Sequence, residues 1–152
     1  MRIATSASLI HIAAAFAGSA ILLAAAENTA RAADSLVARI SLSRQTMQVL
    51  AEGRPAFEWK VSTAGSGFVT PTGSFRPTRM HEIWYSKKYD NAPMPHAVFF
   101  SGGYAVHGTS QIARLGRPAS HGCVRLHPDA AADFYELVEA FGPTHTRIMI
   151  VR

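Results

Sequence analysis

The chain has 152 residues, 15 of them Lys or Arg and 10 Asp or Glu, for a formal net charge of +5. Hydrophobic residues make up 48% and are spread along it, which excludes a disordered chain that cannot bury a core. The single cysteine excludes a disulfide-stapled scaffold, and basic residues scattered rather than clustered do not point to nucleic acid.

The first predicted element is a targeting segment. Met1 and Arg2 precede a long apolar run, Leu9 to Ala26, and then the polar stretch ENTARAAD. A positive start, an apolar middle and a small-residue A-x-A site at Ala30 and Ala32 make a secretory signal peptide. Cleavage is expected after Ala32, with Ala26 as the alternative site. The run approaches membrane-spanning length, but its alanines and the A-x-A site favour removal over a retained anchor. Residues 1–32 are therefore expected to be signal peptide and 33–152 one compact domain of about 120 residues. Removing Arg2, Arg31 and Glu27 leaves 13 basic against 9 acidic residues, a net charge of +4. That charge suits an anionic partner, and the expected location is the periplasm or cell envelope.

The segment from Leu36 to Leu42 alternates Leu36, Ala38, Ile40 and Leu42 on one face, the period of a half-buried strand. Thr46 to Ser62 reads as a hairpin with its turn at EGRP, Glu52 to Pro55. Ser62 to Phe75 is a Gly/Thr/Pro loop leading into a further strand. Met80 to Pro95 is aromatic, charged and proline-bearing without clear period, and is expected to be a functional loop. His96 to Gly108 reads as two strands joined at Gly102 and Gly103, with His107 at the end of the second.

The clearest helix begins at Pro128. Asp129 and Asp133 lie toward its N-terminal end, and Phe134, Leu137, Val138 and Phe141 form an i, i+3, i+4, i+7 stripe of core residues. Gly142 and Pro143 stop it, and Arg147 to Val151 is a closing buried strand. The fold expected is mainly β with one or two helices.

Cys123 lies in RPASHGCVRL, Arg117 to Leu126. An unpaired thiol in an exported protein suggests an intermolecular bridge or a reactive group, against the alternative of an inert buried cysteine. A thiolate is the nucleophile, and an imidazole close by can take the proton. Gly122 lets backbone approach closely, and N–H groups near Cys123 suit the oxyanion of a tetrahedral intermediate. The pattern fits acyl transfer through a thioester. Two histidines compete as base. His121 shares a face with Cys123 if the segment is extended, whereas His107 reaches across from a strand end. The residues alone do not choose between them. A zinc site built from His107, His121, Cys123 and His127 is the rival chemistry, without a C-x-x-C or H-E-x-x-H pattern to support it. His127 is instead placed to cap the helix. His81, His96 and His145 read as ordinary surface or core histidines.

The stretch HGTSQIARLGRPASHGCVRL, His107 to Leu126, closely resembles the active-site signature of the L,D-transpeptidase catalytic domain family of the YkuD type. VSTAGSGFVTPTGSF is similar to the family's TPTG-containing loop, and MPHAVFFSGGYAVHG to the strand pair leading to its histidine. The resemblance spans Leu36 to Val151. It implies a β-sandwich or barrel, Cys123 as nucleophile and His107 as general base, with the Gly108 carbonyl orienting the imidazole. It further implies that His121 shapes the substrate site and that the amides of Gly122 and Cys123 form the oxyanion hole. Ser120 and Arg125 would line the pocket. Arg125 stands where many members have Asn, and either binds a substrate carboxylate or braces the loop. Tyr85 or Tyr89 would supply a hydroxyl to the oxyanion, as lid tyrosines do in relatives. The expected substrate is a peptidoglycan tetrapeptide stem, passed to an amine of a second stem or of a wall-anchored protein, with no cofactor. The alternatives are an L,D-carboxypeptidase or hydrolase using the same cysteine, and a non-catalytic wall-binding or zinc-binding domain.

Overall fold

A computed structural model describes residues 36–152, so the signal peptide expected over residues 1–32 lies outside the described residues. Leu36–Ser41 (β1), Thr46–Ala51 (β2), Arg54–Lys60 (β3), Gly73–Phe75 (β4) and Thr146–Val151 (β9) form one sheet in the order β3-β2-β1-β9-β4. Arg79–Ser86 (β5), Ala92–Ser101 (β6), Tyr104–Gly108 (β7) and Val124–Leu126 (β8) form a second, ordered β5-β6-β7-β8. One helix, Pro128–Phe141 (α1), packs on β6 and β7.

The period-two reading of β1 holds, with Leu36, Ala38 and Ile40 fully buried. They join Met47 and Val49 of β2, Ile148 and Ile150 of β9, and Phe134 and Val138 of α1 in the main core. Val98, Phe100, Val106, Val124 and Leu126 enter that core from the second sheet. Each large side chain buried in this way stabilises the fold by about 1.5–3 kcal/mol. The opposite face of the second sheet carries a small apolar cluster, Met94, Ala97, Phe99 and Ala105, with Cys123 packed against it. Alternation along β7 and β8 thus turns valines into the core and His107, Arg125 and Cys123 outward.

Two expectations need correction. The hairpin turn is tighter than EGRP: only Glu52 and Gly53 lie outside the strands, both at positive φ (53° and 74°), as a two-residue primed turn requires. Met80 to Pro95 is largely a second hairpin, with β5 and β6 paired from Arg79↔Phe99 to Ser86↔Ala92. Its period was hidden because β5 is an edge strand, exposed along most of its length, so burial does not alternate. Pro93 and Pro95 are tolerated because β7 pairs only with β6 from Val98 onward. Their missing N–H groups face the unpaired side of that extension.

The helix starts as the sequence indicates. His127 accepts the Asp129 N–H on its Nδ1 (3.3 Å), and Pro128 follows.

A buried polar bridge links the first sheet to the segment before the cysteine. Gln45 donates from Nε2 to the Thr63 hydroxyl (2.6 Å) and the Leu42 carbonyl (2.7 Å), and accepts the Thr63 N–H (2.9 Å). The Thr63 carbonyl in turn accepts the N–H groups of Ala119 (2.9 Å) and Ser120 (2.8 Å). Gln45→Met should lower stability by about 2–4 kcal/mol in chemical denaturation, because it strands buried Thr63 groups. Gln48→Met on β2, whose side chain is part-exposed, should cost under about 0.5 kcal/mol; equal costs would deny the bridge its role.

Candidate active site

Parallel pairing of β7 with β8 sets Val106 opposite Val124, His107 opposite Arg125 and Gly108 opposite Leu126. His107 therefore stands beside the strand that Cys123 leads into, on the same face. The fifteen residues between the strands close over one end of the second sheet and are tied down throughout. Gly116 N–H donates to Val61 (2.8 Å), the Ser62 hydroxyl to Arg117 (2.8 Å) and Gly65 N–H to Ser120 (2.9 Å).

The turn that presents the thiol is over-determined. The Ser120 hydroxyl accepts the Gly122 N–H (3.0 Å) and donates to the Cys123 carbonyl (2.6 Å). The Thr70 hydroxyl, from the Thr/Pro/Gly loop, accepts the Ala64 N–H (3.0 Å) and donates to the Gly122 carbonyl (2.8 Å). Gly122 holds φ at +126°, and a Cβ there would lie 2.5 Å from the Tyr104 ring and 2.8 Å from the Val69 carbonyl. Glycine is required for both reasons.

His107 is buried, and its Nδ1 donates to the Gly108 carbonyl at 2.7 Å. That bond fixes the tautomer, leaving the Nε2 lone pair as the ring's acceptor. Burial lowers the His107 pKa to about 4; the Gly108 bond pulls it up and the Arg125 charge pushes it down further. The ring is thus neutral at neutral pH. The fold gains stability from this neutral burial above pH 6.5 and loses it as pH falls toward 4, where the unfolded chain takes up a proton that the native ring refuses. Burial raises the Cys123 pKa, against the lowering effects of a backbone hydrogen bond from Ala105 and of Arg125. Both shifts favour the uncharged forms, a thiol and a neutral imidazole.

His107, Cys123, Arg125, His121 and Tyr89 share one cleft of about 380 Å³. Arg125 is half-buried, donating to Gln111 Oε1 (3.1 Å) and the Ala119 carbonyl (3.4 Å). His121 is exposed at the rim, between the rings of Tyr89 (4.4 Å, stacked) and Phe68 (4.5 Å, tilted). Tyr89 sits in the single 3-10 turn Lys87–Tyr89 that joins β5 to β6 and overhangs the cleft.

Three sequence-derived placements change. Tyr85 is outside the cleft and 53% exposed: Ser86 faces the cleft, so its neighbour on the strand faces away. Ser120 is buried and braces the turn instead of lining the pocket. The Gly122 N–H is committed to Ser120, so it is not available to an oxyanion; the Cys123 N–H has no acceptor among the described residues. His127 caps α1 and does not line the cleft, and among the described residues no three His, Cys, Asp or Glu side chains converge as metal ligands. Sequence reasoning missed Met94, Thr109 and Gln111 in the cleft wall, and the bracing role of Thr70. Thr70 was signalled by its place in the TPTG loop; the others had no signal.

The L,D-transpeptidase catalytic domain family matches residues 35–150. The Bacillus subtilis (strain 168) protein YqjB, described as a candidate L,D-transpeptidase, is 25% identical over 117 residues, covering 68% of this chain and 64% of that protein. An L,D-transpeptidase from Mycobacterium smegmatis superposes with a TM-score of 0.70 at 21% identity, over 78% of this chain and 59% of the other. The L,D-transpeptidase from Xylanimonas cellulosilytica DSM 15894 gives 0.65 at 27% identity, over 78% and 61%. The chain thus spans about two thirds or less of each relative's length.

Gly122→Ala should destabilise the fold by about 2–4 kcal/mol and slow alkylation of Cys123, because a backbone carbonyl must move. Gly67→Ala has positive φ but open space, so it should cost only about 1 kcal/mol and leave alkylation unchanged. Chemical denaturation and timed alkylation check both.

Proposed function

Because the chain belongs to the L,D-transpeptidase catalytic domain family, we propose that it is a cysteine acyltransferase of peptidoglycan that works through a thioester on Cys123. The observation that carries the reading is the His107 Nδ1–Gly108 carbonyl bond at 2.7 Å, which leaves a neutral, unprotonated Nε2 on the face that Cys123 shares. A neutral imidazole is the form a general base needs.

The acyl donor is a tetrapeptide stem. Cys123 Sγ attacks the carbonyl at the L-centre of the diamino acid, while Nε2 takes the thiol proton. Charge on the carbonyl oxygen is met by the Cys123 N–H. The carbon–nitrogen bond to the terminal D-alanine breaks, and His107 returns the proton to the leaving amine. An amine of a second stem or of a protein then attacks the thioester, gives its proton to Nε2, and releases the sulfur, which regains it. His107 stays neutral between steps, so each proton it accepts is held briefly and handed on. Tyr89 and His121 form the outer wall that limits what enters. The signal peptide expected over residues 1–32 would deliver this reaction to the cell envelope.

Intact mass after incubation with a disaccharide-tetrapeptide should show an adduct equal to the donor less D-alanine, absent in Cys123→Ala. An added amine should convert the adduct to a cross-linked product; release to water alone would instead mark an L,D-carboxypeptidase. His107→Ala should slow iodoacetamide alkylation of Cys123 at neutral pH by about 100-fold, and His127→Ala by less than about twofold. Equal effects would contradict the assignment of the base.

A further inference from the structure

We infer that His96 is a positioning residue for His107: its left-handed backbone turns β6 over at mid-length, which presses Pro95 onto Gly108 and so holds the carbonyl that orients the imidazole. The catalytic meaning of this rests on the reading of His107 as base; the geometry does not.

Among the described residues five non-glycine residues have positive φ. Gln45, Glu52, Asp90 and Asn91 lie in turns, where such angles are ordinary. His96, at 50°, lies inside a strand. A left-handed residue there costs free energy, and His96 carries a second cost, because its buried Nδ1 has no partner among the described residues. Two such costs persist only where the surroundings over-determine the conformation.

The effect is visible on either side. Ala97 and Phe99 face outward, so regular alternation would send Pro95 outward and Met94 inward. The reverse occurs. Met94 joins Ala97 and Phe99 in the outer cluster and lines the cleft. Pro95 turns inward, with its Cγ 3.0 Å from the point where a Cβ on Gly108 would stand. The facing strand turns over as well. It pairs His81 with Ala97 and Ile83 with Pro95, skips Glu82 and His96, and brings Trp84 back beside His81 and Phe99.

Gly108 is thereby closed in from two sides. Pro95 covers it from β6, while Pro128 Cα and Ala131 Cβ of α1 stand 3.3 and 3.4 Å from the same point. Tyr135, one turn beyond Ala131 on the same helix face, meets the His96 ring edge-on with centroids 5.7 Å apart. One stripe of α1 therefore supports Gly108 at one end and His96 at the other. Wedged between Pro95 and α1, the Gly108 peptide has little room to swing its carbonyl away from His107 Nδ1, 2.7 Å away. His96 itself does not line the cleft, so it acts only through these neighbours.

Nitrogen-15 NMR of His107 and iodoacetamide alkylation of Cys123, both at neutral pH, are read beside chemical denaturation. Valine holds positive φ only under strain, whereas glycine takes it freely. His96→Val should straighten β6, give His107 a mixture of Nδ1–H and Nε2–H tautomers, and slow alkylation about tenfold. His96→Gly removes the ring from Tyr135 and should lower the denaturation midpoint, yet keep a single Nδ1–H tautomer and an alkylation rate within about twofold of native. Pro95→Ala takes Cγ from Gly108 and leaves His96 alone; it should also give mixed tautomers, and it decides the matter if His96→Val does not fold.

A single Nδ1–H tautomer in His96→Val, or in Pro95→Ala where that variant has to serve, overturns the inference. Equal mixing in His96→Val and His96→Gly overturns it too, since the ring and not the backbone would then hold the site. So does an alkylation rate unchanged in His96→Val where His107→Ala slows it; the acyl-transfer reading would stand. If His107→Ala leaves the rate unchanged, His107 is not the base and the proposed function falls, while the tautomers still decide whether His96 holds the ring.

Discussion

The account depends on one hydrogen bond, from His107 Nδ1 to the carbonyl of the next residue, Gly108, at 2.7 Å. A backbone carbonyl takes the place that a carboxylate holds in many catalytic triads. It orients the ring and fixes the tautomer, but it brings no full negative charge to hold a proton on the imidazole. The consequence is a base of low basicity, with a pKa near 4 set first by burial. A thiol raised by burial stands beside it. The thiol packs against an apolar cluster, Met94, Ala97, Phe99 and Ala105, which disfavours its charged form.

Holding that pair in place falls to groups outside the cleft. The parallel β7–β8 ladder sets the register, and a parallel pair needs a long connection. The fifteen-residue crossover would be loose if its backbone groups were left to solvent. Instead Thr63, Ser62 and Gly65 hydrogen-bond it along one side, while Ser120 and Thr70 lock the turn at Gly122. Gln45 anchors Thr63 to the first sheet. The chain of contacts runs from a turn near β1 to the Gly122 carbonyl beside Cys123. Its members are small hydroxyls and one amide, all buried and paired, so each is costly to remove.

Much of this was legible in the sequence. Period-two alternation found β1, the i, i+3, i+4, i+7 stripe found α1, and Pro128 with Gly142 marked its ends. The lone cysteine after His121 and Gly122 and the histidine that the resemblance pointed to, His107, lie in one cleft. What stayed hidden has physical causes. An edge strand exposed on both faces has no alternation to read, so β5 passed for a loop. Tyr85 and Tyr89 could not be ranked because the face of each depended on that unseen strand. Ser120 sits next to His121, Gly122 and Cys123 and reads as a pocket residue, yet its hydroxyl serves two backbone groups of the same turn. Gln45 gave no signal, since a glutamine in a turn usually faces water and only the packing of two sheets buries it.

The most direct test is a nitrogen-15 NMR titration of His107 in the native chain, with His107→Gln to assign its resonances. The account predicts a neutral Nδ1–H tautomer, unchanged from pH 8 down to pH 5 and protonating only near pH 4. An Nε2–H tautomer, or protonation at the ordinary histidine value of 6.5, would mean that the ring cannot present a free base to the sulfur as described.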